Sequence, residues 1–227
     1  MIRTIKYGEA SAISNIYTEQ YGLLGFHIPG AFRNKGAVRI SHLQPLNVVD
    51  ITFHYQKTRN LQRITDISCR LYPDLHDFNN KALYSIVCEL LQQVIRENEH
   101  NQSLFEYLQQ QAIPGLNSPI HFWQLPFMML KILYHYGCSP NIDGYAEDAL
   151  LDLQNGIFSN SMLQLKYTSD VPVSKTIYEI LTSGINHLPK DAALRHQTIE
   201  DLILYYKLHI NENFDLRSRD ILSQVVK

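Results

Sequence analysis

Read as a pattern of apolar and polar positions, the chain changes period once. Up to about residue 71 the repeat is two: Leu24, Phe26 and Ile28 mark alternate positions, and so do Val49, Ile51, Phe53 and Tyr55. Successive side chains on a strand point to opposite faces, so this alternation predicts strands with one face buried. Five strands are expected, near 2–7, 11–19, 23–29, 46–56 and 61–70, with Gly8, Gly22 and Gly30 in or beside turns. Five short strands in succession suit a small β-barrel, which closes its own edges.

From residue 79 the repeat becomes helical. Leu83, Ile86, Val87, Leu90, Leu91 and Val94 recur at three- and four-residue steps on one face. Further helices are expected near 102–112, 120–136, 174–184, 191–209 and 218–226, with Gly115, Pro119, Gly137, Pro140, Gly156, Pro172 and Pro189 in or beside the breaks. The segment Phe122–Tyr136 is apolar on nearly every face except at Gln124, Lys131 and His135, which predicts a helix through the middle of a bundle with Pro126 in its first turn or at a kink. The pattern describes an α+β chain: a strand domain over residues 1–71, then an all-α domain over residues 72–227, with no internal repeat.

Composition adds few constraints. With 45% hydrophobic and 19% charged residues, the 227-residue chain has ample apolar surface for a core. No window approaches the roughly 18 apolar residues of a membrane span, and no basic segment followed by an apolar run opens the chain, so a cytoplasmic protein is expected. Cys69, Cys88 and Cys138 are odd in number, far apart and set among apolar neighbours, which predicts reduced thiols and no metal site.

Charge changes the picture more. The total of -2 conceals nine Lys/Arg against four Asp/Glu in residues 1–70, and eleven against eighteen afterwards. Such asymmetry points to a polyanion partner at the basic end. Two clusters carry the excess. Arg33, Lys35 and Arg39 lie in a loop flanked by Gly30 and Gly36, where backbone can approach a phosphate closely. Lys57, Arg59 and Arg63 lie between two expected strands beside Tyr55, whose ring is either a base-stacking surface or part of the buried sheet. An ordinary solvated loop is the competing reading of each cluster.

Catalytic chemistry has no local signature. The ten histidines form no pair at metal or catalytic spacing, and no dinucleotide, P-loop or nucleophile-elbow motif occurs. No catalytic residue, metal or cofactor is expected. The apolar helix is either plain core or a groove for a partner's apolar peptide, with Lys131 or Arg195 available to an acidic terminus.

The order of short motifs then narrows the reading. Arg3-Thr4, Tyr7-Gly8-Glu9 and Ser11, then Ile16-Tyr17-Thr18-Glu19 with Tyr21-Gly22-Leu23, then Gly30 and its basic loop, resemble the RecO family of bacterial DNA repair proteins. "LQPL" at 43–46, "LQRI" at 61–64, "YGCSPNID" at 136–143, "YYKLH" at 205–209 and "LRSRDIL" at 216–222 extend the resemblance over nearly the whole chain.

The resemblance implies a recombination mediator with an N-terminal five-stranded OB-type barrel and a helical domain. Such a protein binds single-stranded and double-stranded DNA, anneals complementary strands, engages the C-terminal tail of the single-stranded DNA-binding protein and, with RecR, helps load RecA. On this reading Arg3, Lys6, Arg33, Lys35, Arg39, Lys57, Arg59 and Arg63 grip DNA, Arg33 being the one that also falls in the family motif. Phe122, Met128 and Tyr134 would line the pocket for the tail, with Lys131 or Arg195 as its cation, and the protein would work at the bacterial nucleoid. Two departures stand out. Many family members carry a four-cysteine zinc module just after the position of Asp143, where this chain has no cysteine, and they usually begin earlier in the first strand. Two rivals remain: an interaction adaptor with little DNA affinity, and an enzyme with an unrecognised site.

Overall fold

The computed structural model describes residues 1–33, 38–74, 78–97, 99–118, 121–160 and 166–218. They form two compact units, Met1–Ser118 and Pro119–Lys227. Strands β1 (Arg3–Tyr7), β2 (Ser11–Thr18), β3 (Gly22–Ile28), β4 (Val48–Phe53) and β5 (Leu61–Leu71) make one sheet in the order β1-β2-β3-β5-β4. Neighbours are antiparallel except β3 and β5, which run parallel with Gly25 opposite Leu61 and His27 opposite Arg63. This is the OB-type sheet, barrel-like but open between β1 and β4. Near the open side Met1 ties the two edges, since the Leu46 amide donates to the Met1 carbonyl at 2.7 Å and the Met1 amino group donates to the Asn47 carbonyl at 2.9 Å.

Alternation explains what the sheet buries. Ala12, Ile16, Leu24, Phe26, Ile28, Ile64 and Ile67 form its inner face, with Val49, Ile51 and Phe53 packed against them. The fourth strand stops at Phe53, short of the expected residue 56, so Tyr55 lies beyond the sheet and is exposed. β1 inverts its apparent polarity. Thr4 points inward and donates to the Leu43 carbonyl at 2.7 Å, while Ile5 on the alternate position is 44% exposed.

The first unit continues past the sheet. Helix α1 (Phe78–Val94) buries Leu83, Ile86, Val87, Leu90, Leu91 and Val94, the stripe read from its 3.6-residue repeat. Helix α2 (Gln102–Tyr107) starts where the Asn101 side chain accepts from the Leu104 amide at 2.9 Å, and runs through a π-turn at Leu108–Ala112 into the single turn α3 (Ile113–Gly115). Gly22 is obligatory here. Its φ is +65°, and a Cβ would strike the Glu99 carbonyl.

In the second unit α4 (Gln124–His135) is the central helix, with Leu125, Met128, Met129, Leu130, Ile132 and Leu133 buried and Pro126 in its first turn. α5 (Val171–Ser183) and α6 (Ala192–His209) begin at Asp170 and Asp191, whose carboxylates accept from the amides of Val173 and Leu194. Tyr206 crosses to α4, donating to the Met129 carbonyl at 2.8 Å. Between α4 and α5 lies a small ribbon of β6 (Leu150–Asp152) and β7 (Ile157–Ser159), an addition to the expected helices. Asp152 shapes its turn by accepting from the Gln154 and Asn155 amides. The helix expected near 218–226 falls almost wholly outside the described residues.

Candidate nucleic-acid interface

The outer face of the sheet brings together residues that are distant in sequence. Strand register aligns Arg3, Asn15, Gly25 and Leu61 in one row, and Ile5, Ile13, His27 and Arg63 in the next. Side chains at paired positions share a face, so both rows point away from the core. Tyr7 stands one step further along β1, 56% exposed, and its ring meets that of His27 edge-on with centroids 5.8 Å apart. Neither row contains a carboxylate.

The loops at the two ends of these rows carry the remaining cations. The turn before β5, with Lys57 and Arg59, is held from beneath by Gln62, a side chain only 3% exposed. Its carbonyl oxygen accepts from the Gln56 amide at 2.9 Å, and its amide nitrogen donates to the carbonyls of Gln56 at 3.0 Å and Arg59 at 2.9 Å. Beyond β3, Gly30 takes φ +72° and accepts from the Arg33 amide at 2.9 Å, while the Phe32 amide donates to the Ala10 carbonyl at 3.1 Å. Lys6 stands 5.7 Å over the Phe32 ring, and Arg39 precedes the short 3-10 turn Ile40–Leu43. Lys35 lies outside the described residues.

Arg3, Lys6, Arg33, Arg39, Lys57, Arg59 and Arg63 are all exposed, and none is paired with a carboxylate among the described residues. Arg70 is different, because Asp50 neutralises it. Tyr55 is a surface ring, stacked on Tyr21 at 4.3 Å. Tyr7, His27 and Tyr21 were not among the expected site residues. The signal for the first two is the parity of the strands, which puts His27 opposite Arg63 and Tyr7 against His27 only once the register is known.

The comparisons with known proteins bear on this same unit and beyond it. A model described as "Recombination protein O N terminal" matches residues 1–71, the whole of the sheet. DNA repair protein RecO of Christiangramia forsetii is 25% identical over 232 residues, covering 99% of this chain and 96% of its own length. RecO of Bacteroides fragilis is also 25% identical, with the same coverage. RecO of Pelodictyon phaeoclathratiforme is 30% identical over 149 residues, 63% of this chain and 55% of its own. The chain is thus similar to RecO DNA repair proteins over nearly its whole length, and its sheet matches their N-terminal domain.

In this chain the segment Tyr136–Asp143 leads into the β6–β7 ribbon. Gly156 in its turn, at φ +67°, lies directly beneath the Tyr205 hydroxyl, which donates to the Cys138 carbonyl at 2.9 Å. No group of three or more His, Cys, Asp or Glu side chains suited to a metal occurs among the described residues. Burial pushes the Cys88 thiol up to about 12, as suits a core cysteine. No helix among the described residues is long and apolar enough to cross a membrane.

The partner-site candidates divide by burial. Met128 is fully buried and Phe122 is 7% exposed, so both belong to the core of the second unit and cannot line an open groove. Arg195, 4% exposed, lies 4.0 Å over the Phe122 ring and donates to the Phe122 carbonyl at 3.4 Å. Burial lowers its pKa, and both contacts tie it to Phe122, just ahead of α4. Lys131 and Tyr134 are the pair that reaches the surface: Tyr134 is 64% exposed, with the Lys131 ammonium 5.9 Å from its ring centre and 5.5 Å from that of Phe127.

Proposed function

We propose that this chain is a recombination mediator that binds single-stranded and duplex DNA through the first unit and anneals complementary strands. In this reading it works with RecR to help load RecA at the nucleoid, and the patch formed on α4 by half-buried Lys131 and exposed Tyr134 receives the tail of the single-stranded DNA-binding protein. The observation that carries it is the set of seven exposed, unpaired cations around a sheet face whose two aligned rows lack a carboxylate. Phosphates are held by such cations without sequence being read. Annealing asks for neutralisation of two mutually repelling strands while their bases stay accessible, and no bond needs to be made or broken by the protein.

The test is the annealing rate of two complementary labelled oligonucleotides with and without the protein. Acceleration that weakens as salt rises from about 50 mM to about 200 mM is expected, because released counterions drive the binding. No acceleration and no binding at the lower salt would instead favour an adaptor that acts through proteins alone.

A further inference from the structure

We infer that the outer face of the sheet is a platform for unstacked bases, so that Tyr7 and His27 make the protein discriminate single-stranded from duplex DNA while the loop cations serve both. The inference rests on the DNA-binding reading and adds a division of labour within it. The face has the composition a splayed strand needs. Tyr7, Ile5 and Arg63 are exposed on it, the Tyr7 and His27 rings touch edge-on, and Ile5, Ile13, His27 and Arg63 stand in one register row with Arg3 in the next. The exposed apolar Ile5, on the same face as the two rings, Arg3 and Arg63, adds to a surface that suits base faces and phosphates together. The complementary charge is anionic, because the two rows hold Arg3 and Arg63 and no carboxylate.

Spacing separates the two kinds of DNA. Successive same-face rows on a strand are about 6.6 Å apart. A stacked nucleic-acid strand advances about 3.4 Å per nucleotide. Bases that meet successive rows have therefore parted from one another, which a single strand does readily and a duplex cannot do without losing its stacking and pairing. Duplex DNA is left with the phosphate contacts of the loops.

The experiment compares the affinities of full-length wild type, Tyr7→Ala, His27→Ala, Tyr7→Phe and Arg33→Glu for a labelled single-stranded oligonucleotide and for its duplex. Each ring lost should weaken single-strand binding roughly 5- to 150-fold, the range of base–aromatic stacking, and leave duplex binding unchanged. Tyr7→Phe keeps the ring and should bind as wild type does. Arg33→Glu should weaken both. Tyr7 and His27 lie on the sheet surface, so melting temperatures near that of wild type are expected, and Tyr7→Leu, which keeps apolar bulk without a ring, replaces Tyr7→Ala if that variant melts early. Equal losses on both DNAs, or no loss on either, would overturn the platform while leaving the DNA reading intact. Wild type that binds neither DNA would overturn both.

Discussion

At the scale of single residues, the cations depend on neutral neighbours. Lys57 and Arg59 project from a turn that would be loose without Gln62, whose buried amide makes three hydrogen bonds to its backbone. Gln62→Leu fills similar volume but leaves those backbone groups unpaired. A loss of about 1–3 kcal/mol is expected, seen as a lower denaturation midpoint, together with weaker DNA binding although no cation has been changed. Wild-type affinity in a folded variant would remove this turn from the interface. Gln62 also shows what a sequence conceals. The cations and their spacing are legible in the chain, but the contact that orders them links a strand to a loop and exists only once the register is set. Parity misleads at β1 for a related reason. Ile5 is apolar yet exposed, and Thr4 is polar yet turned inward to Ser14 and Leu43. Alternation reports which residues share a face, and the pairing register with the neighbouring strand decides which face is buried.

Among the elements, long regular patterns translate most directly into structure. The apolar stripe of α1 is buried as its repeat predicts, and α5 and α6 begin at Asp170 and Asp191, within a few residues of their expected starts. The β6–β7 ribbon was not legible, because strands of three residues are too short for a period and Gly156 reads equally as a helix break. Helix α4 shows the limit from the other side. An apolar repeat cannot tell a core helix from a groove, and burial assigns Met128 to the core and Tyr134 to the surface. Met128→Ala is therefore expected to cost about 2–5 kcal/mol in stability. Lys131→Glu should leave the melting temperature close to that of wild type. By calorimetric titration it should bind the tail peptide of the single-stranded DNA-binding protein more weakly, because an acidic tail then meets a like charge. Full peptide affinity in Lys131→Glu would place that contact elsewhere.

For the whole molecule, the charge asymmetry along the chain is the feature that a single number hides. A protein of net charge -2 would be a poor candidate for DNA if its charges were mixed evenly, but its basic excess is carried by residues 1–70, the sheet and its loops, where seven described cations are unpaired. The sheet ends at Leu71, the boundary expected from the change of period, whereas the compact unit runs on to Ser118 and takes α1 to α3 with it. The central claim, that these cations hold a nucleic-acid backbone, is tested most directly by the salt dependence of single-strand affinity in wild type and in a triple Arg33→Glu, Arg59→Glu, Arg63→Glu variant. Each phosphate contact contributes about -0.7 to the slope of log affinity against log salt concentration. The variant is predicted to bind more weakly and to give a slope shallower by about 2. Two parallel lines, with or without a difference in affinity, would contradict the account.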